Sequence, residues 1–254
     1  MKKLFVLIAA ACMTCTAAFA QTVKPFKEGE RAVFLGNSIT DGGHYHSYIW
    51  LYYMTRFPDM PIRVFNGGIG GDTAYDMNKR LDGDIFVMKP SVLMVTFGMN
   101  DSGYFEYNGD KPKEFGEQKY QESIKNYQQM EKRFKDLPDT RIVMVGTSPY
   151  DETVQLKEST PFKTKNETIK RLVEYQQESA AKNNWEFTDL NAPMTAINQQ
   201  YQQKDPTFTL CGSDRIHPDN DGHMVMAYLF LKAQGFVGKE VADVEINANK
   251  KQAV

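Results

Sequence analysis

Cysteine and tryptophan are scarce in this chain, with three and two residues among 254. Two of the three cysteines, Cys12 and Cys15, fall in the first twenty residues, so a chain shortened there keeps only Cys211. A disulfide framework is thereby excluded, and stability has to come from a hydrophobic core. An excess of basic charge is also lacking. The formal net charge is −2, and it falls to −4 if Lys2 and Lys3 are removed with a leader, which gives no basis for binding nucleic acid or an anionic membrane. Histidine is limited to four residues. His44-Tyr45-His46 forms an H-x-H, but no third or fourth ligand stands at a recognised spacing, and neither a metal nor any other cofactor is expected.

No apolar run reaches the roughly 18 residues needed to span a bilayer. The nearest is Leu4 to Cys12, preceded by the basic start Met1-Lys2-Lys3 and followed by Ala18-Phe19-Ala20, with small residues where a signal peptidase reads. Residues 1–20 are therefore expected to be a cleavable signal peptide, the product secreted or periplasmic, with no membrane span after cleavage. The remaining 234 residues suit one sizeable domain, taken as 21–236. Residues 237–254 are polar with a weak alternation at Val241, Val244 and Ile246, and read as a tail or an added strand.

Within the domain, short apolar, β-branched runs alternate with segments of helical period, the signature of βαβ units around a parallel sheet. Strands are expected at Arg31 to Leu35, Ile62 to Asn66, Ser91 to Phe97, Arg141 to Gly146 and Trp185 to Asp189. Helices are expected at Ser47 to Phe57, Ala74 to Leu81, Tyr120 to Leu137, Glu167 to Lys182 and Asn220 to Gln234, with Gly235 as a C-cap and a weaker, Gln- and Asn-rich segment at Ala192 to Gln203. The long loops Gly103 to Gly116 and Thr147 to Lys165 each follow a strand, on the edge of a parallel sheet where ligands bind.

Four blocks sit at the junctions. Gly36-Asn37-Ser38-Ile39-Thr40 leaves the first strand and exposes a serine on a turn, although Gly, Asn and Ser are also ordinary turn residues. Asn66-Gly67-Gly68-Ile69-Gly70-Gly71-Asp72-Thr73 follows the second strand. Its glycines let backbone N–H groups approach a ligand. The dinucleotide fingerprint fails, because Thr73 stands where it requires glycine, and the P-loop ending is missing. Gly98-Met99-Asn100-Asp101 follows the third strand and offers an uncharged amide donor of the kind an oxyanion needs. Asp214-Arg215-Ile216-His217-Pro218 precedes the last helix, where three-residue spacing lets the carboxylate orient one imidazole nitrogen and leave the other as a base. An Asp capping a helix beside an exposed His is the plainer reading of that pair.

Taken in order, these blocks resemble those of the SGNH hydrolases, also called the GDSL family of esterases and lipases, from Val33 to about Gly235. The resemblance implies a single three-layer α/β domain like flavodoxin, with a five-stranded parallel sheet in the order 2-1-3-4-5. It implies Ser38 as nucleophile, Asp214 and His217 as its triad partners, and Gly71 and Asn100 as oxyanion donors. One departure is that Gly-Asp-Ser-Leu appears as Gly36-Asn37-Ser38-Ile39, a change outside the mechanistic groups. Because His44, Tyr45, His46, Tyr48, Tyr104, Phe105, Tyr107 and Tyr150 fall in or beside the loops, they suggest ring faces for a sugar. No long apolar segment stands ready to wrap a fatty-acyl chain. The expected activity is removal of short acyl groups, acetyl above all, from carbohydrate through an acyl-enzyme. The alternatives are a lipase or thioesterase of the same fold, or a glycan-binding relative without catalysis. The expected partner is accordingly a small-molecule or glycan ester.

Overall fold

The computed structural model describes residues 22–157 and 159–238, together with the two short strands at 246–247 and 252–253. The expected signal peptide, residues 1–20, lies outside the described residues. Five strands, β1 Arg31–Gly36, β2 Arg63–Gly68, β3 Val92–Val95, β4 Arg141–Gly146 and β5 Glu186–Asp189, pair in parallel in the order β2-β1-β3-β4-β5. Ala32, Val33, Phe34 and Leu35 of β1 are completely buried, as are Val92, Leu93 and Val95 of β3. That is how a central parallel strand covered on both faces behaves. Seven α-helices are described: α1 Ser38–Asp41, α2 His44–Arg56, α3 Ala74–Arg80, α4 Pro112–Lys135, α5 Lys165–Asn183, α6 Asn191–Gln202 and α7 Asn220–Ala233.

Alternation along the strands splits the core in two. Phe34, Val92, Met94 and Val143 face Ile49 and Tyr53 of α2 and Met226 and Phe230 of α7. Val33, Leu35, Leu93 and Val95 face Met77 of α3 and Tyr127, Met130 and Phe134 of α4. The layers are helix, sheet and helix, with no helix long and apolar enough to cross a membrane among the described residues. Cys211 is buried and free. Its Sγ donates to the Pro149 carbonyl at 3.1 Å, and burial pushes its thiol up to about 12.

Helix ends follow local chemistry. α3 opens with a capping box in which Thr73 and Asp76 satisfy each other's backbone. α7 ends at Gly235, with φ +77°; its N–H reaches Lys232 O and that of Phe236 reaches Leu231 O, the paired bonds of a Schellman turn. α4 begins at Pro112 in the first turn, eight positions before the expected start at Tyr120, which shortens the loop after β3. α2 begins at His44 rather than Ser47, because Gly43 turns the chain at φ +87°. Beyond Gly238, Ile246–Asn247 and Gln252–Ala253 pair only with each other, antiparallel, and add nothing to the main sheet.

Register decides where the site falls. Leu35 is level with both Gly67 and Val95, so the loops after β1, β2 and β3 leave the sheet side by side at its carboxyl edge. The strand order reverses there between β1 and β3, which opens a crevice.

Candidate active site

β1 ends at Gly36 and α1 starts at once with Ser38. Asn37 caps the turn, its side-chain oxygen accepting from Ile39 N–H at 3.1 Å. An amide oxygen serves here as a carboxylate would, so the departure from Gly-Asp-Ser-Leu leaves the turn intact. The turn is packed tightly against its neighbours. A Cβ on Gly36 would meet Thr40 Oγ1 at 2.1 Å, and one on Gly68 would meet Asp41 N at 2.2 Å. Of the four glycines that end β2 and follow it, Gly67 and Gly68 are therefore there for close packing, Gly67 against Ile85 and the Phe34 carbonyl and Gly68 against the Thr40–Asp41 backbone, which corrects the expectation that all four cradle a ligand. Gly70 lies against Ser38, its absent Cβ falling 4.0 Å from the serine's own. Gly71 has φ +84° and nothing within 4 Å of that position. The Ser38 and Gly71 N–H groups make no backbone hydrogen bond among the described residues.

Ser38 Oγ lies 2.7 Å from His217 Nε2, and His217 Nδ1 lies 2.6 Å from Asp214 Oδ2. Asp214 Oδ1 accepts from the N–H groups of Ile216 and His217, both at 2.9 Å. One carboxylate thus closes the turn and orients the ring. The hydrogen bond that His217 donates to Asp214 raises the imidazole above its ordinary value, against the opposing effect of burial. Burial alone would raise Asp214; the ring and backbone donors together outweigh it and hold the carboxyl below the usual range. Both side chains remain about half exposed, at 47% and 49%. Their loop is pinned by Arg215, whose backbone is left-handed at φ +69° and whose side chain is buried. Its guanidinium donates to the carbonyls of Asp151, Val154 and Ser159 and to Ser159 Oγ, at 2.6 to 3.1 Å.

The third block is fixed from several sides. Asn100 Nδ2 donates to Asp72 O at 2.9 Å, which ties it to the residue after Gly71, and Tyr104 Oη donates to Asn100 Oδ1. Asp101 accepts from Ala74 N and Gly98 N at 2.9 Å and from Ser123 Oγ at 3.0 Å. Burial, only partly offset by these donors, raises its carboxyl. Arg80 pairs with Asp72 at 2.6 Å and reaches the carbonyls of Gly36 and Gly67, so it ties together the ends of β1 and β2. Beneath the block lies Lys165, with no exposed surface. Its Nζ donates to Met99 O, Ser102 Oγ and Gly103 O at 2.5 to 2.7 Å and sits 4.0 Å from the centroid of the Tyr104 ring. Burial pushes its ammonium down to about 7. Arg80, Asp101, Lys165 and Arg215 were not found by sequence reasoning.

Half of the eight loop aromatics are absorbed by packing, while Phe105 stays 79% exposed. Tyr45, His46, Tyr107 and Tyr150 are buried: Tyr107 Oη donates to Ser102 O, Tyr45 pairs with Thr40, and His46 Nε2 meets Thr40 O. Among the described residues no group of three or more His, Cys, Asp or Glu side chains is placed to hold a metal.

A three-layer α/β sheet that carries a hydrogen-bonded Ser, His and Asp at its carboxyl edge defines a serine hydrolase. The chain belongs to the GDSL-like Lipase/Acylhydrolase family, which matches residues 34–225. The solved structure of a gut microbial diltiazem-metabolizing enzyme is similar at 85% identity and a TM-score of 0.88, covering 92% of this chain and 53% of that one. This chain therefore spans about half the length of that relative. An acetylxylan esterase of Geobacillus stearothermophilus is 26% identical over 224 residues, 82% of this chain and 95% of its own. The structure of a catalytic mutant of an acetylxylan esterase from that organism superimposes with a TM-score of 0.65 at 23% identity, over 83% of this chain and 96% of that one, and shares the fold.

The expected carbohydrate substrate is overturned by the first of these. A relative at 85% identity metabolizes diltiazem, whereas the acetylxylan esterases stand far away at 22 to 26%. In the loops, four of the eight rings expected to receive a sugar, Tyr45, His46, Tyr107 and Tyr150, are buried in the protein instead.

Proposed function

We propose that this chain is an exported serine esterase that hydrolyses esters of small molecules through an acyl-enzyme on Ser38. The observation that carries the reading is the relay of 2.7 and 2.6 Å from Ser38 through His217 to Asp214, and the 85% identity to a diltiazem-metabolizing enzyme supports the substrate class. Since His217 Nδ1–H donates to Asp214, Nε2 is the free base and accepts the Ser38 proton as Oγ bonds to the acyl carbon. The imidazolium returns that proton to the departing alkoxide. A water deprotonated by Nε2 then attacks the acyl carbon, breaks its bond to Ser38 and releases the acid. Asp214 stays ionised throughout. The Ser38 and Gly71 N–H groups and Asn100 Nδ2 hold the negative charge that develops on the carbonyl oxygen.

Export belongs to the same proposal: residues 1–20 are removed, and 21–236 form the hydrolase domain. The test is hydrolysis of an aryl ester and consumption of diltiazem by the purified protein, with Ser38→Ala as the blank, plus N-terminal sequencing of protein from secreting cells. Both activities should vanish in Ser38→Ala, and the mature chain should begin at Gln21. Ester hydrolysis indifferent to Ser38→Ala would overturn the mechanism, and protein retaining Met1 would overturn export.

A further inference from the structure

The Asn100 amide can present a donor to the reaction in one orientation and an acceptor in the other, a rotation of half a turn apart, and an oxyanion tolerates only the donor. Two neighbours decide between them. The Asp72 carbonyl, 2.9 Å from Nδ2, accepts only, so it repels Oδ1 and requires NH₂ on its side. With Nδ2 fixed there, Oδ1 faces the Tyr104 hydroxyl, which must then be the donor in that short bond. One Nδ2–H is spent on Asp72, and the other is left for the substrate.

We infer that Tyr104 is a positioning residue for the reaction: its hydroxyl holds the Asn100 amide in its donor orientation and strengthens the remaining N–H. A hydrogen bond received at the amide oxygen draws electron density from the nitrogen, so the donor sharpens as charge grows on the other side. Tyr104 is itself held. Its ring packs at 71° to that of Phe162, 6.0 Å away, and the buried Lys165 Nζ sits over its face. The same Nζ donates to the carbonyls of Met99 and Gly103, the residue before Asn100 and the residue before Tyr104, so both ends of the Asn100–Tyr104 contact rest on one side chain. Burial and the nearby Asp214 raise the Tyr104 hydroxyl above its ordinary value, which keeps it protonated and donating throughout the working pH range.

This inference rests on the serine-esterase reading and is tested by a double-mutant cycle on the full-length protein. Tyr104→Phe keeps the ring and its contacts with Phe162 and Lys165, and removes only the hydroxyl. The expected result is a fall in kcat of about tenfold, the size of one hydrogen bond, with KM within about twofold of the parent and an unchanged Tm, because the effect is on the chemical step. In an Asn100→Ala background the Tyr104→Phe loss should disappear, since the group it acts through has gone. Full additivity of the two losses would overturn the inference and place Tyr104 directly on the substrate, and so would an unchanged kcat in Tyr104→Phe while Ser38→Ala is inactive. An active Ser38→Ala would instead bring down the esterase reading, and this inference with it.

Discussion

The two sides of the site are built differently. The proton-transfer side, Asp214 and His217, is half exposed on a four-residue turn whose one deep anchor is Arg215. The donor side, around Asn100, rests on buried Asp101, Ser102 and Lys165 and is tied to Asp72, α3 and α4 by side-chain hydrogen bonds. The contrast fits what the proposed mechanism asks of each. In it, His217 takes a proton from serine and later from water, and needs access to both. Donors that stabilise a charge present only in the transition state gain most when they are immobile before it forms.

The sharpest way to break this comparison is to remove the proton-transfer groups. Ser38→Ala and His217→Ala should each lower kcat by about 10⁴–10⁶, measured on an aryl ester, with Tm little changed because the turn is solvent-facing. Asp214→Asn should cost about 10⁴ and move the pH profile. His217 acts when neutral, so activity rises with pH through its folded pKa, which Asp214 holds above the ordinary value. In Asp214→Asn the rising limb of kcat/KM should shift to lower pH, and a limb that stayed in place would show that Asp214 does not set it. On the donor side, Asn100→Ala should lose about 10²–10³ in kcat with KM nearly constant. A change confined to KM would make Asn100 a binding group only.

The smallest effect on the chemical step, and the largest on stability, belongs to the anchor between the two sides. Arg215→Ala leaves the carbonyls of Val154 and Ser159 without their donor. Thermal or urea unfolding should show a loss of about 3 kcal/mol. An unaltered midpoint would mean that the His217 turn holds itself.

The sequence already carried the strands, because buried β-branched runs bounded by Gly and Asn have few other readings, and β4 agrees residue for residue. It also singled out Ser38, Gly71, Asn100, Asp214 and His217, through blocks at strand and helix junctions and the family they resemble, and the structure brings Ser38, His217 and Asp214 into one hydrogen-bonded chain. It was less informative where polar residues act as core. The first turns of α4, Pro112 to Lys119, have no apolar period, and only the proline marked the start. Lys165 and Arg215 look like any surface charge, because long cations are rarely buried without partners and, one serine hydroxyl apiece aside, their partners here are backbone carbonyls, which no letter encodes. The loop tyrosines misled for the opposite reason. Ring and hydroxyl suit a sugar face as well as a buried hydrogen bond, and only packing distinguishes the two.

Cys211 sits one residue before Gly212, whose φ of +68° starts the turn that carries Asp214 and His217. Its thiol is fully buried and pushed up to about 12, so at neutral pH it is almost entirely protonated and shielded from thiol reagents. It becomes reactive only when the floor under the catalytic turn opens. The extent of alkylation of the Cys211 peptide, followed over time by mass spectrometry, is therefore a built-in clock for how often this edge of the sheet comes apart, readable without substrate.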